Sequence, residues 1–88
     1  MLTMQDYVLE ILKYLAHHPQ SAKDIRPLLA EFADIEEVHM SIMGIIVQEM
    51  LAKNLIKVNG LFTDIVEKGK PIMATILDEG LRRCGNQE

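Results

Sequence analysis

The residues whose side chains could form a metal site or a catalytic centre are three histidines and a single cysteine: His17, His18, His39 and Cys84. A metal ion needs three or four ligands, and no Asp, Glu or Cys lies at a convincing ligand spacing around the histidine pair. A nucleophilic thiol needs a fixed position and an activating base, for which His39 is the available candidate. Cys84 lies in a polar C-terminal segment, which would not hold the thiol in a fixed position. Since neither the histidines nor the cysteine meets its requirement, we predict no enzyme activity, no metal and no other cofactor.

The length and composition predict one small domain. At 88 residues, folding buries only about 60 to 65% of the surface that the unfolded chain exposes, so we expect a single modest core. The lone cysteine excludes an internal disulfide, and no apolar run approaches the roughly 18 residues of a membrane span. We therefore predict a cytoplasmic protein without membrane contact, with a folded domain at residues 1–83 and a polar tail at residues 84–88.

The first predicted helix spans Leu2 to Ala16, where apolar residues recur at steps of three and four. Thr3 and Asp6 have the spacing of a capping box at its start. Pro19 ends it, because the residue before a proline is pushed out of the helical region. The sequence therefore contains both a start and a stop signal for this helix.

A short second helix is predicted over residues 25–32, because Ser21 and Asp24 repeat the capping-box spacing before it. A turn is predicted at residues 33–34, with Asp34 as the N-cap of a third helix. Two helices joined this tightly are typical of a helix-turn-helix.

The third predicted helix, residues 35–53, is apolar on nearly every side. Its apolar residues are Ile35, Val38, Met40, Ile42, Met43, Ile45, Ile46, Val47, Met50 and Leu51. A helix with this pattern is buried on more than one side. The rest of so short a chain cannot cover it fully, so we expect a partner.

A small hairpin and a last helix complete the predicted elements. Asn54 can end the third helix in the left-handed conformation, and Leu55 to Val58 is predicted as a strand. Asn59-Gly60 predicts a tight turn, with Leu61 to Thr63 as the returning strand. A last helix is predicted from about Asp64, and its apolar side comprises Ile65, Val66, Ile72, Met73, Ile76, Leu77 and Leu81.

Residues 43–70, MGIIVQEMLAKNLIKVNGLFTDIVEKGK, resemble the winged helix-turn-helix domains of small bacterial transcription regulators of the MarR and PadR types and of small fimbrial regulators. Met50 stands at the family's leucine position and Asn54 at its glycine position, and Thr63 to Gly69 look like a stretched start of the C-terminal helix. The resemblance implies a mainly α winged helix-turn-helix with three helices, a short two-stranded hairpin wing and a C-terminal helix. It also implies a dimeric DNA-binding regulator of transcription.

The resemblance further implies which side of the third helix meets DNA. The core-facing residues would be Met43, Ile46, Val47 and Met50. Ser41 and Gln48 would contact bases. From the predicted wing and its base, Lys53, Lys57 and Lys68 could contact phosphates, and an ordinary charged surface explains these lysines equally well. However, the segment from Glu31 to Glu49 contains several acids and no Lys or Arg, and acids repel phosphates.

Two functional hypotheses therefore stay open. In the first, the chain is a regulator that binds double-stranded DNA as a dimer, with the last helix in the subunit contact. In the second, it is a protein-interaction module that does not bind DNA and buries the third helix in an oligomer or against another protein. The candidate interface residues are Ile42, Ile45, Leu51, Ile76 and Leu77. For Ile42, Ile45 and Leu51, an equally open explanation is that the last helix folds over the third helix and buries them within the chain.

Overall fold

Helices and short strands follow one another in this computed structural model, which describes residues 3–37, 39–59 and 71–86. In chain order, the elements within these residues are α1 (Met4–Ala16), β1 (Lys23–Asp24), α2 (Arg26–Glu36), α3 (Met40–Ala52), β2 (Ile56–Val58), β3 (Met73–Ile76) and α4 (Asp78–Asn86). The strands form an antiparallel sheet in the order β1-β3-β2. The mainly helical character is confirmed, whereas β1 and β3 were not predicted.

The first helix begins and ends where its sequence signals predict. The Thr3 Oγ1 atom accepts the Asp6 backbone N–H at 3.2 Å, and the Asp6 carboxylate accepts the Thr3 backbone N–H at 2.9 Å. The Thr3 hydroxyl also donates to the Asp6 carboxylate at 2.9 Å. The hydrogen bonds that this carboxylate accepts, from the Thr3 backbone first and the hydroxyl second, lower the pKa of Asp6. Beyond Ala16, His17 is the C-cap. The inner face of α1 buries Tyr7, Val8, Ile11, Leu12 and Leu15.

The second helix does not use the predicted cap. Its N-cap is Ile25, which makes no side-chain capping hydrogen bond, and Asp24 lies in β1 instead. One Asp24 carboxylate oxygen accepts the backbone N–H of Arg26 at 3.0 Å and that of Ile72 at 3.1 Å. The predicted capping box of Ser21 and Asp24 is therefore wrong, because Asp24 bonds to a residue far along the chain that local spacing does not reveal.

The turn between α2 and α3 lies later than predicted. Helix α2 continues through Asp34, and Glu37 then takes the left-handed conformation with a φ of 55°. The Glu37 N–H donates to the Ala33 carbonyl oxygen and so satisfies one of the last helical acceptors. Helix α3 begins after its N-cap, His39. The prediction of a turn at residues 33–34 with Asp34 as N-cap is wrong, because the backbone reverses at residue 37.

The end of α3 and the start of β2 agree with the prediction. Asn54 has a φ of 58°, in the left-handed region. Its N–H donates to the Leu51 carbonyl oxygen at 3.1 Å, and the Leu55 N–H donates to the Met50 carbonyl oxygen at 3.0 Å. This pair of bonds defines a Schellman motif, which satisfies the last carbonyl groups of the helix. The cap leads the chain directly into β2.

The strand β3 occupies residues that were predicted to be helical. Ile76 pairs with Ile56 of β2 and Ala74 pairs with Lys23 of β1, so β3 joins both outer strands. Burial alternates along the strand, with Ala74 and Ile76 inside. The prediction of a helix is therefore wrong over residues 72–77. Pairing with two distant strands outweighs the helical preference indicated by apolar residues at steps of three and four. The predicted returning strand at residues 61–63 and the helix start near residue 64 lie outside the described residues.

The apolar core lies between the four described helices and the sheet. Helix α1 packs against α3, α4 and β3, and α2 packs against α3. Cys84 is only 6% exposed and belongs to this core, because α4 continues to Asn86. The polar tail therefore does not begin at Cys84 as predicted. No helix in the described residues is long and apolar enough to cross a bilayer.

Close packing of α4 depends on Gly80. A Cβ atom at this position would overlap the Leu55 carbonyl oxygen and would lie 2.9 Å from Cγ1 of Ile76 and 3.1 Å from Cδ2 of Leu12. The same Leu55 carbonyl oxygen accepts the Leu77 N–H at 2.9 Å. The start of α4 is thus held against the backbone where α3 leads into β2.

Candidate functional site

Helix α3 presents one face to the core. Met43, Ile46, Val47 and Met50 are buried and recur at steps of three and four, which is the period of one helical face. This burial confirms the predicted inward side of the helix. The same period places the opposite side of the helix outward.

The outer face of α3 combines polar and apolar side chains. Ser41, Ile42, Ile45 and Gln48 are exposed. The exposed fractions of Ile42 and Ile45 are 47% and 56%, and the two side chains are about one turn apart. Helix α4 packs against α1 and leaves both isoleucines exposed, so a last helix folded over them is ruled out. Leu51 is half-buried and packs against the core, so it is not part of this face.

A third exposed isoleucine lies near the end of α2. Ile35 is 67% exposed, the largest fraction among the exposed large apolar side chains of the described residues. It lies in α2, before the left-handed residue Glu37, so it is not in α3 as predicted. The apolar spacing did not reveal its exposure, because periodicity does not show where a helix runs past the core. Ile35, Ile42 and Ile45 are called the exposed isoleucines below.

The part of the chain that carries the exposed isoleucines is acidic. Residues 27–52 contain no Lys or Arg and five acids, which are Glu31, Asp34, Glu36, Glu37 and Glu49. Glu31, Asp34 and Glu37 are exposed, and none of the three forms an ion pair with another described residue. Their negative charge is therefore directed at solvent and would repel phosphates.

The lysines predicted to contact phosphates differ in their surroundings. The Lys53 Nζ atom lies 3.0 Å from the Glu49 carboxylate, one turn earlier in the chain, so its charge is partly neutralised. Lys57 is exposed in β2 and has no ion pair with a described residue. Lys68 lies outside the described residues. Of Lys53 and Lys57, Lys57 is therefore the one that could contact a phosphate without first breaking an ion pair with a carboxylate.

The N-terminus of α3 is capped by His39. Its Nδ1 atom accepts the backbone N–H of Ser41 at 3.2 Å and lies 2.9 Å from the Ser41 Oγ atom. This role was missed, because histidine is not among the preferred N-cap residues and the helix was predicted to start earlier. Ser41, a predicted base contact, is thus already engaged in a hydrogen-bonded turn.

Two predicted interface residues lie away from the outer face of α3. Ile76 is 4% exposed, because it is on the inner side of β3, and its prediction as a partner contact is wrong. Leu77 connects β3 to α4 and is half-buried. Of the predicted interface residues, Ile42 and Ile45 are those that the structure leaves exposed on the outer face of α3.

The residues first considered for catalysis or metal binding are placed apart from α3, except for His39. Cys84 lines a depression of about 400 Å³ together with Lys13, Ala16 and His17. The structure therefore brings Cys84 near His17, whereas His39 caps α3. Within the described residues, no group of three or more His, Cys, Asp or Glu side chains is placed to hold a metal ion.

Comparisons of the chain with models of protein families, with curated proteins and with solved structures found no significant match.

Proposed function

We propose that the chain is a winged helix-turn-helix domain that acts without catalysis as a protein-interaction module, with the outer face of α3 as its contact surface. The observation that carries this proposal is the exposure of Ile42 and Ile45 on a helix whose other side lies in the core. Contiguous apolar side chains on the surface of a small domain are typical of contact sites. Burying them against a partner would remove apolar surface from water, which is the dominant favourable term in most protein associations.

The order of the elements supports the winged-helix part of the proposal. Helix α2 ends at Glu36 and α3 begins at Met40, so three residues separate them in the chain, as in a helix-turn-helix. Strands β2 and β3 are antiparallel neighbours, which is compatible with the two sides of a wing. The small sheet also includes β1, which enters between α1 and α2.

The charges favour a protein rather than a nucleic acid as the partner. Lys and Arg supply most of the affinity of a protein for duplex DNA, because they release counterions from phosphates. Residues 27–52, which include all of α3, contain five acids and no such base. The centre of a protein interface, by contrast, is depleted in charge and enriched in apolar side chains. The middle of the α3 outer face has this composition.

A dimeric DNA-binding regulator is the second candidate function. The exposure of Ser41 and Gln48 on the outer face of α3 favours it, because both side chains can hydrogen-bond to base edges. Lys57 would contact a phosphate at the side of the site. In such a dimer, two α3 helices would meet half-sites about 34 Å apart.

A titration of labelled duplex DNA separates the two functions. The duplex has random sequence, and binding is measured at about 50 mM and about 200 mM salt, because phosphate contacts weaken steeply over this range. We expect no binding at either concentration. Binding at low salt that is lost at the higher salt, and that falls further in Gln48→Ala, would support the regulator instead.

Light scattering on Ile45→Asp tests whether the contact surface is used between copies of the chain. If wild type has a mass above that of a monomer, the substitution lowers the mass, because a buried carboxylate opposes the contact. Leu81→Asp is the matched control, since Leu81 is an exposed leucine on α4, and it keeps the wild-type mass. If wild type is monomeric, the partner of the outer face of α3 is a different protein and not a second copy of the chain.

A further inference from the structure

We propose that the outer face of α3 docks a cationic amphipathic segment of another protein, whose apolar residues contact the exposed isoleucines and whose Lys or Arg residues approach the exposed acids of α2, the helix that packs against α3. This inference rests on the proposed function, because it names the partner of the same surface. It adds the sign of the partner's charge and excludes a second copy of the same face.

The apolar part of the surface is narrow. Ile42 and Ile45 lie about one helical turn apart, so together they present a stripe and not a broad patch. Ile35 adds exposed apolar area in the last turn of α2, seven residues before Ile42 in the chain. A stripe of this size matches the apolar side of a single helix, which places anchors at steps of three and four residues.

The charged part of the surface determines which helix fits. Glu31, Asp34 and Glu37 are exposed, lie on α2 or at its end, and form no ion pair with other described residues. Glu49, on α3, is held by Lys53. An incoming Lys or Arg would therefore meet carboxylates that have no competing basic partner in residues 27–52. Opposite charges around an apolar contact raise the association rate and exclude wrong partners.

The same charges argue against symmetric pairing of two α3 faces. A twofold contact brings the same surface of each copy together, so the acids of both copies would gather in one interface with no Lys or Arg from residues 27–52 to neutralise them. The whole chain also has a net charge of −4. Like-charge contact between two such faces would be unfavourable, whereas a basic segment neutralises both the local and the overall charge.

Two matched synthetic peptides test the proposal. Each is a labelled amphipathic helix of about 18 residues, or five turns, with leucines along one side. In one peptide the flanking positions are lysine, and in the other they are glutamate. Binding to the full-length chain is measured by fluorescence anisotropy. We expect the lysine peptide to bind at least about tenfold more tightly than the glutamate peptide, with affinity that falls as salt is raised.

Variants of the chain locate the binding. Ile45→Asp lowers the affinity for the lysine peptide by about tenfold or more, because it replaces a buried apolar contact with a carboxylate. Leu81→Asp adds the same charge to an exposed leucine on α4 and leaves the affinity within about twofold, as expected for a contact outside the site. The triple change Glu31→Gln, Asp34→Asn and Glu37→Gln weakens the lysine peptide and reduces the effect of salt. Circular dichroism confirms that each variant is folded.

The outcomes separate this inference from the proposed function. Two outcomes would overturn the proposal of a basic partner but keep the outer face of α3 as a protein contact. One is equal binding of both peptides, and the other is self-association, provided that either is lost in Ile45→Asp. Binding of the lysine peptide that is unchanged in Ile45→Asp would overturn the inference, since it would report adsorption to acids elsewhere. Absence of binding by either peptide, together with duplex binding that requires Gln48, would overturn both.

Discussion

The Asp24 carboxylate accepts the backbone N–H of Ile72 at 3.1 Å, although the two residues are 48 positions apart in the chain. The same oxygen accepts the Arg26 N–H at the start of α2, and the Arg26 guanidinium lies 3.0 Å from the other carboxylate oxygen. One side chain thus ties the start of α2 to the segment that leads into β3. Asp24 is therefore a structural residue at the edge of the sheet.

Removal of this carboxylate should lower stability. We expect Asp24→Ala to reduce the free energy of unfolding by about 1 to 3 kcal/mol, because two backbone N–H groups lose their acceptor. Asp24→Asn keeps an acceptor oxygen and should cost less. Urea unfolding measures both, with Asp34→Ala as the control for loss of an exposed carboxylate. Equal stability of Asp24→Ala and Asp34→Ala would contradict the structural role.

The same residue predicts a dependence of stability on pH. Hydrogen bonds from the Arg26 side chain lower the pKa of Asp24 from its ordinary value of 3.8, against the opposing effect of burial. Because the pKa is lower in the folded chain, the stabilisation is fully present above the ordinary value and is lost as pH falls through the folded value. Urea unfolding from neutral pH to below about pH 3 should therefore show a steeper loss in wild type than in Asp24→Asn.

This experiment compares the loss of stability with falling pH in wild type with that in Asp24→Asn. Asp6 also has a lowered pKa, caused by hydrogen bonds from Thr3, and it is present in both proteins. Its contribution therefore cancels. Parallel stability curves for wild type and Asp24→Asn would show that Asp24 does not contribute in this way.

The two glycines of α4 form a matched pair. A Cβ at Gly80 would overlap the Leu55 carbonyl oxygen, whereas a Cβ at Gly85 has no neighbour within 4 Å. We expect Gly80→Ala to destabilise the chain by roughly 1 to 3 kcal/mol through overpacking. Gly85→Ala should raise stability by up to about 1 kcal/mol, because alanine favours the helix. Thermal unfolding of both variants is the measurement, and a melting temperature for Gly80→Ala at or above that of wild type would refute the close packing.

The left-handed residue at the end of α3 gives a further prediction. Asn54 has a φ of 58°, a conformation that costs an alanine roughly 1 to 2 kcal/mol. Asn54→Ala should therefore lower the free energy of unfolding by about this amount, while Asn54→Gly should keep it close to that of wild type. Chemical unfolding compares the three proteins. A loss in Asn54→Gly equal to that in Asn54→Ala would point to the Asn side chain rather than to the backbone.

The elements that the sequence predicts well are those specified by neighbouring residues. The Thr3 and Asp6 pair defines the start of α1, and Asn54 defines the end of α3, because each cap involves groups within a few positions. The outward direction of Ile42 and Ile45 came instead from the resemblance, because the spacing in a helix that is apolar on nearly every side does not reveal which side is buried.

The elements that escaped prediction depend on distant residues. Strand β3 forms because residues 73–76 pair with both Lys23–Asp24 and Ile56–Val58, and no local spacing encodes that choice. The error carried over to the candidate site, where Ile76 was assigned to a helix surface although it is in the core. The exposure of Ile35 was also missed, because it depends on where α2 ends relative to the other helices.

The position of β3 between β1 and β2 has a consequence for biosynthesis. Each outer strand hydrogen-bonds to β3, so the sheet is completed only when residues 73–76 are available. On a translating ribosome, α1, α2 and α3 leave the exit tunnel well before their central strand does. The nascent chain therefore keeps the apolar sides of three helices incompletely covered until residues 73–76 have emerged and joined the two outer strands.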